Sequence, residues 1–226
     1  MLALLFGMTA LVFGRTSLLA SFFEPLDPES QQYSAGESES LDVYAPTLLV
    51  ADPSSSFEQT LGNVARGKIA AGNLVYVFTK SSPLHYGMKD IQGVRLYLFT
   101  SGVSHPSPSE RSNELLVPQN DTSVTLDLLD KTVSTARKAP ITIIFDSVSD
   151  MALLLGTEDT YKFLKQAEQI LVPPNLTSIY LVAAGAQDER TLNIVKSLFR
   201  LHAVLDQQGI STTKGAEFEG AKGEAQ

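Results

Sequence analysis

The chain has 226 residues, 43% hydrophobic and 19% charged, which is enough for one well-buried α/β domain with an appendage. A formal charge of −8 and the lack of any Lys/Arg run exclude a nucleic-acid binder, which needs a basic face. The absence of cysteine excludes a disulfide frame and a thiolate metal site, and His85, His105 and His202 are too scattered for metal-ligand spacing and read as surface or loop residues.

Met1 to Phe23 is apolar apart from Arg15 and a few hydroxyls, close to the length of about 20 apolar residues that a spanning helix needs. Residues 1–23 therefore read as an N-terminal hydrophobic helix that anchors the chain in a membrane. With Met1–Gly14 as the tail of a span, Arg15 marks the cytoplasmic side under the positive-inside tendency, which puts the soluble domain in the cytoplasm. A cleaved signal peptide and a soluble core or oligomerisation helix are the competing readings. The first of these lacks a basic leading region and an A-x-A site. Residues 24–42, rich in Glu, Ser and Pro with no hydrophobic period, read as an acidic linker that an anionic lipid surface would repel.

From Thr47 short apolar runs alternate with helical stretches, the signature of a parallel sheet with crossover helices. Strands are predicted at Thr47–Ala51, Leu74–Thr79, Arg95–Thr100, Ile141–Asp146, Thr177–Ala184 and Ala203–Asp206. Helices are predicted at Ser56–Ala71, Thr122–Lys138, Ser149–Leu155, Thr157–Leu171 and Gln187–Phe199. Ser101 to Gln119 reads as a long Ser/Pro-rich loop. The domain is bounded at residues 43–209, and residues 210–226 read as a disordered Gly/Lys/Glu/Ala tail.

The chemistry turns on the residues just past the first and fourth strands. Ile141–Asp146 is a buried strand type that ends in an acid, with Ser147 next. The first strand runs into Asp52-Pro53-Ser54-Ser55-Ser56, with no glycine and no lysine, and so offers an acid where a phosphate-binding turn offers amides and an ammonium. Ligands of open α/β sheets bind beyond the strands' C-terminal ends. The rim of that crevice is predicted to comprise Asp52, Ser54, Ser55, Lys80, Ser81, Asp146 and Ser147. For Asp146 itself, capping of the next helix through Ser147 or the Ser149 region is the favoured reading and a remnant ligand site the alternative. No G-x-G-x-x-G comes after the first strand, so a dinucleotide domain does not fit, and no G-x-S-x-G supports Ser147 with Asp146 and His85 as a hydrolase triad.

Ile143-Ile144-Phe145-Asp146-Ser147-Val148-Ser149, the Thr160-Tyr161-Lys162-Phe163-Leu164 run, Ser178 to Val182 and Asn73 to Thr79 together resemble RecA-like ATPases of the KaiC type. The likeness spans Tyr44 to Asp206 and extends to archaeal membrane-tethered domains of unknown function. It implies an α/β, RecA-like three-layer sandwich with a mainly parallel central sheet. It also implies that Asp146 matches the family's Mg²⁺-associated acid. The phosphate-loop lysine has no match, and Thr79-Lys80-Ser81-Ser82 stands where the catalytic glutamates belong. The expectation is a pseudo-ATPase without cofactor. Such a protein would serve signalling or scaffolding through a protein partner or self-association, held at the membrane by residues 1–23. The alternative is a nucleotide-binding protein or ATPase that takes ATP with Mg²⁺ through an atypical phosphate loop.

Overall fold

A computed structural model describes Phe22 and residues 46–136, 139–146 and 148–214. The anchor expected at residues 1–23 (Phe22 apart), the 24–42 linker, Ser147 and the tail beyond Lys214 lie outside the described residues. Among those described, no helix is long and apolar enough to cross a membrane.

The chain order is β1 (Pro46–Ala51), α1 (Phe57–Ala70), β2 (Leu74–Thr79), α2 (Pro83–Met88), β3 (Val94–Thr100), β4 (Ser107–Pro108) and β5 (Glu114–Pro118). It continues with α3 (Thr122–Ala136), β6 (Ile141–Phe145), α4 (Val148–Leu155), α5 (Thr157–Ile170), β7 (Leu176–Ala183), α6 (Glu189–Lys196), β8 (Leu201–Asp206) and β9 (Gly209–Lys214). The strands form one sheet in the order β4-β5-β3-β2-β6-β7-β1-β8-β9. All neighbours pair in parallel except β4 with β5 and β8 with β9.

Alternation along the strands sorts the two faces by chemistry. On one face Val75, Val77, Leu96, Ile144, Ile179 and Leu181 are buried beneath α1 and α2. On the other, rings predominate: Tyr97 stacks on Phe78 at 4.2 Å, Phe78 on Phe145 at 5.1 Å, and Phe145 on Tyr180 at 5.9 Å. This aromatic seam lies under α3, α4, α5 and α6, so the molecule has three layers. Rings at such spacings contribute beyond the area that they bury.

Helix ends obey local chemistry. Gly72 takes φ 82° just past α1, a backbone state that favours glycine. Ser82 caps α2 by accepting from the His85 N–H, and Pro83 fills the first turn, where no donor is needed. Asp121 Oδ1 accepts from Val124 N–H at the start of α3.

Three segments differ from the sequence expectations. The 101–119 stretch supplies β4 and β5 as well as loop, because Leu115 and Val117 are buried beside β3. The turn after β2 contains the short helix α2. The tail expected from residue 210 begins instead as β9, whose backbone pairs with β8 through Lys214.

Candidate functional site

Successive crossovers reverse direction at two places in the sheet. β1 leads to α1 on one face while its neighbour β7 leads to α6 on the other. β2 leads to α2 while its neighbour β6 leads to α4. Each reversal opens a cleft beyond the strand ends, where ligands of such sheets bind.

At the β2–β6 cleft, the partly exposed Asp146 comes directly after the last residue of β6, and its N–H donates to the Phe78 carbonyl at 2.9 Å. Its Oδ2 accepts from Thr79 Oγ1 at 2.7 Å and from Ser82 Oγ at 2.8 Å. Burial pushes the carboxyl above its usual range, against the pull of the two hydroxyls; Asp150 adds to the rise and Lys80 opposes it. Lys80 Nζ contacts Asp150 Oδ1 at 2.6 Å, which joins the β2 turn to the first turn of α4. Ser149 instead holds α4 to β7: its hydroxyl accepts from Ala183 N–H at 3.1 Å, and its carbonyl accepts from Gln187 Nε2 at 2.8 Å. The bonds of Asp146 among the described residues thus run to the β2 turn, and helix capping does not account for them.

At the β1–β7 cleft the turn closes on itself. Asp52 Oδ1 accepts from both Ser54 N–H at 2.8 Å and Ser54 Oγ at 2.6 Å, while the Asp52 carbonyl accepts from Ser55 Oγ at 2.6 Å. The Ser54 hydroxyl and amide hold the exposed Asp52 carboxyl below its usual range. A cluster of backbone amides that binds an anion must keep its N–H groups free. Here an internal carboxylate already takes one of them.

A buried hydrogen-bonded pair beside the first cleft was not legible in the sequence. His85 Nε2 lies 2.6 Å from Glu114 Oε2, and Glu114 Oε1 accepts from Ser109 Oγ at 2.6 Å. His85 and Glu114 are 8% and 6% exposed, so the surface or loop reading of this histidine was wrong. His202 lies half-buried on β8, near the Lys196 carbonyl at 3.0 Å, and only His105 is an exposed loop residue.

The predicted rim therefore divides. Lys80 and Asp146 face one cleft, together with Thr79, Ser82 and Asp150, which the sequence reading did not include. Asp52, Ser54 and Ser55 belong to the other cleft, and no hydrogen bond among the described residues joins the two groups. Ser81 Oγ meets Tyr86 Oη at 3.2 Å and takes no part in the acid cluster. Signals for the missing members existed: Thr79 and Ser82 flank Lys80 in a run of hydroxyls, and Asp150 lies one helical turn beyond Asp146.

No protein-family model matches the chain, and no curated protein does. Solved structures do. The Pyrococcus horikoshii OT3 protein PH0250 superposes with a TM-score of 0.58 at 12% identity, over 78% of this chain and 89% of that one. A KaiC-like protein of the same hyperthermophilic archaeon, PH0186, gives 0.54 at 17% identity, over 79% and 83%. An ATPase from the type III secretion system of pathogenic bacteria gives 0.50 at 13% identity, over 76% of this chain and 57% of that one. The domain has a RecA/KaiC-like fold. At these identities the likeness speaks for the RecA/KaiC-like architecture, and the chemistry must come from this chain's own residues.

Proposed function

We propose that the chain is a membrane-tethered, catalytically silent RecA/KaiC-like module that acts in signalling or scaffolding through contacts with a protein partner or with its own copies. The observation that carries this reading is the turn after β1. A phosphate chain requires free amides and a cation there, whereas this turn presents an ionised Asp52 already bonded to Ser54. ATP with Mg²⁺ does not fit that donor set. In the neighbouring cleft the lysine is engaged by Asp150, and Oδ2 of Asp146 already accepts from two hydroxyls.

Protein contact is favoured by α4, which leaves Leu153 and Leu154 68% and 53% exposed beside the Asp146 cleft. Membrane tethering rests on the apolar composition of residues 1–23, and a cytoplasmic domain rests on Arg15. A second reading, nucleotide binding through an atypical loop, draws support from Lys80, Thr79, Ser82 and Asp146 gathered at a reversal point of the sheet.

Thermal melting of the full chain with and without millimolar Mg²⁺-ATP separates the two. No shift and no phosphate release are expected. Binding with ligand at 100 times Kd would add about 2.7 kcal/mol, and a shift of that kind lost in Asp146→Ala would overturn the proposal.

A further inference from the structure

Phe22 is the single described residue ahead of β1, and it is built into the domain's core. It is 5% exposed, with its ring edge-on to Tyr97 at 5.3 Å. Its carbonyl accepts a hydrogen bond from the Arg95 guanidinium, which also lies over the Phe22 ring at 5.6 Å and the Tyr76 ring at 6.0 Å. Arg95 is itself 7% exposed, and a buried cation needs such partners. The sheet face therefore holds a formed receptor. Tyr97 supplies its floor and is fixed by a hydrogen bond to Thr132 of α3. Tyr76 and Arg95 supply its rim, near the start of β2 and β3.

We infer that Tyr76, Arg95 and Tyr97 dock the chain's own N-terminal segment through Phe22, so that the domain sits against a lipid surface in one fixed orientation with the Asp146 cleft turned away from it. This rests on the membrane reading of residues 1–23. Without docking, the 22 residues from 24 to 45 could let the domain stray by up to about 75 Å. With docking, Phe22, the second-last residue of the apolar stretch, is fixed toward the N-terminal end of the strands, and the Asp146 cleft lies beyond their C-terminal end. The occupant is this segment in cis, because its Phe22 already fills the receptor.

The chain has no cysteine, so single thiols can carry a fluorophore at chosen points. Ser112→Cys places a probe before β5, at the strands' N-terminal end. Ser101→Cys places one just past β3, about 20 Å away along a seven-residue strand. Both serines are exposed. The full chain would be reconstituted in phosphatidylcholine vesicles that carry a head-group spin label, floated, and its fluorescence quenching read. Strong quenching at Ser112→Cys, little at Ser101→Cys, and loss of that difference in Phe22→Ala and Arg95→Gln are expected.

Flotation with equal quenching at the two probes overturns the inference and leaves the membrane reading standing. A difference that persists in both Phe22→Ala and Arg95→Gln overturns the receptor. Failure to float sinks the membrane reading, and the orientation falls with it. The comparison of probes in the otherwise unaltered chain decides the orientation even if a docking variant fails to fold.

Discussion

The two clefts at the top of the sheet handle their acids in opposite ways. Beyond β1, Asp52 is exposed and its carboxylate bonds only within its own turn. Beyond β6, Asp146 is tied across strands to Thr79 and Ser82, under burial that opposes its charge. The comparison teaches that a local turn can be rewritten with little consequence for packing, whereas an acid tied across strands is part of the fold. Of the two clefts, only the second has the buried polar connections of a built site.

Substitutions can break or sharpen this contrast. The largest effect is expected from Glu114→Ala, which leaves the buried His85 and the part-buried Ser109 without their carboxylate partner; a buried polar group left unsatisfied costs about 1–3 kcal/mol. Urea unfolding should show the midpoint fall with an unchanged slope. Asp146→Asn should have an intermediate, pH-dependent effect. Because the folded carboxyl holds its proton above 3.8, the folded state binds more protons than the unfolded chain over that window, and stability falls as pH rises through it. The asparagine variant, which keeps an acceptor for Thr79 and Ser82, removes that fall. Its unfolding midpoint relative to the parent should rise from acidic to neutral pH; a difference independent of pH would contradict this account. The smallest effect is expected from Asp52→Ala, with a melting temperature that scarcely moves at neutral pH. A large drop there would erase the distinction between the clefts.

Much of the parallel core was legible because its strands are apolar and bounded by turn residues. Leu74–Thr79 was predicted with the limits that the structure shows, and Thr157–Leu171 missed α5 by a single residue. β5 escaped because five residues closed by Glu114 and Pro118, inside a Ser/Pro-rich stretch, carry no periodicity, and burial beside β3 makes them a strand. α2 escaped because six residues starting at a proline look like a turn.

The candidate site was half legible for a different reason. Strand order is not written locally: β1 and β2 are consecutive in sequence but separated by β7 and β6 in the sheet, three spacings or about 14 Å. One predicted rim was therefore two clefts. His85 was misjudged because the acid that buries it lies 29 positions downstream.

The antiparallel margins of the sheet bear on crowding. A parallel sheet left open at both sides offers rows of unpaired donors and acceptors on which another chain can polymerise. One margin here ends in the two-residue β4, where Pro108 contributes no amide hydrogen, and the other in Gly209–Lys214, rich in serine and threonine. Among the described residues, neither margin is a long apolar strand of the kind that seeds fibrils. Copies of this protein brought to high local concentration can therefore meet at these margins without knitting their sheets together.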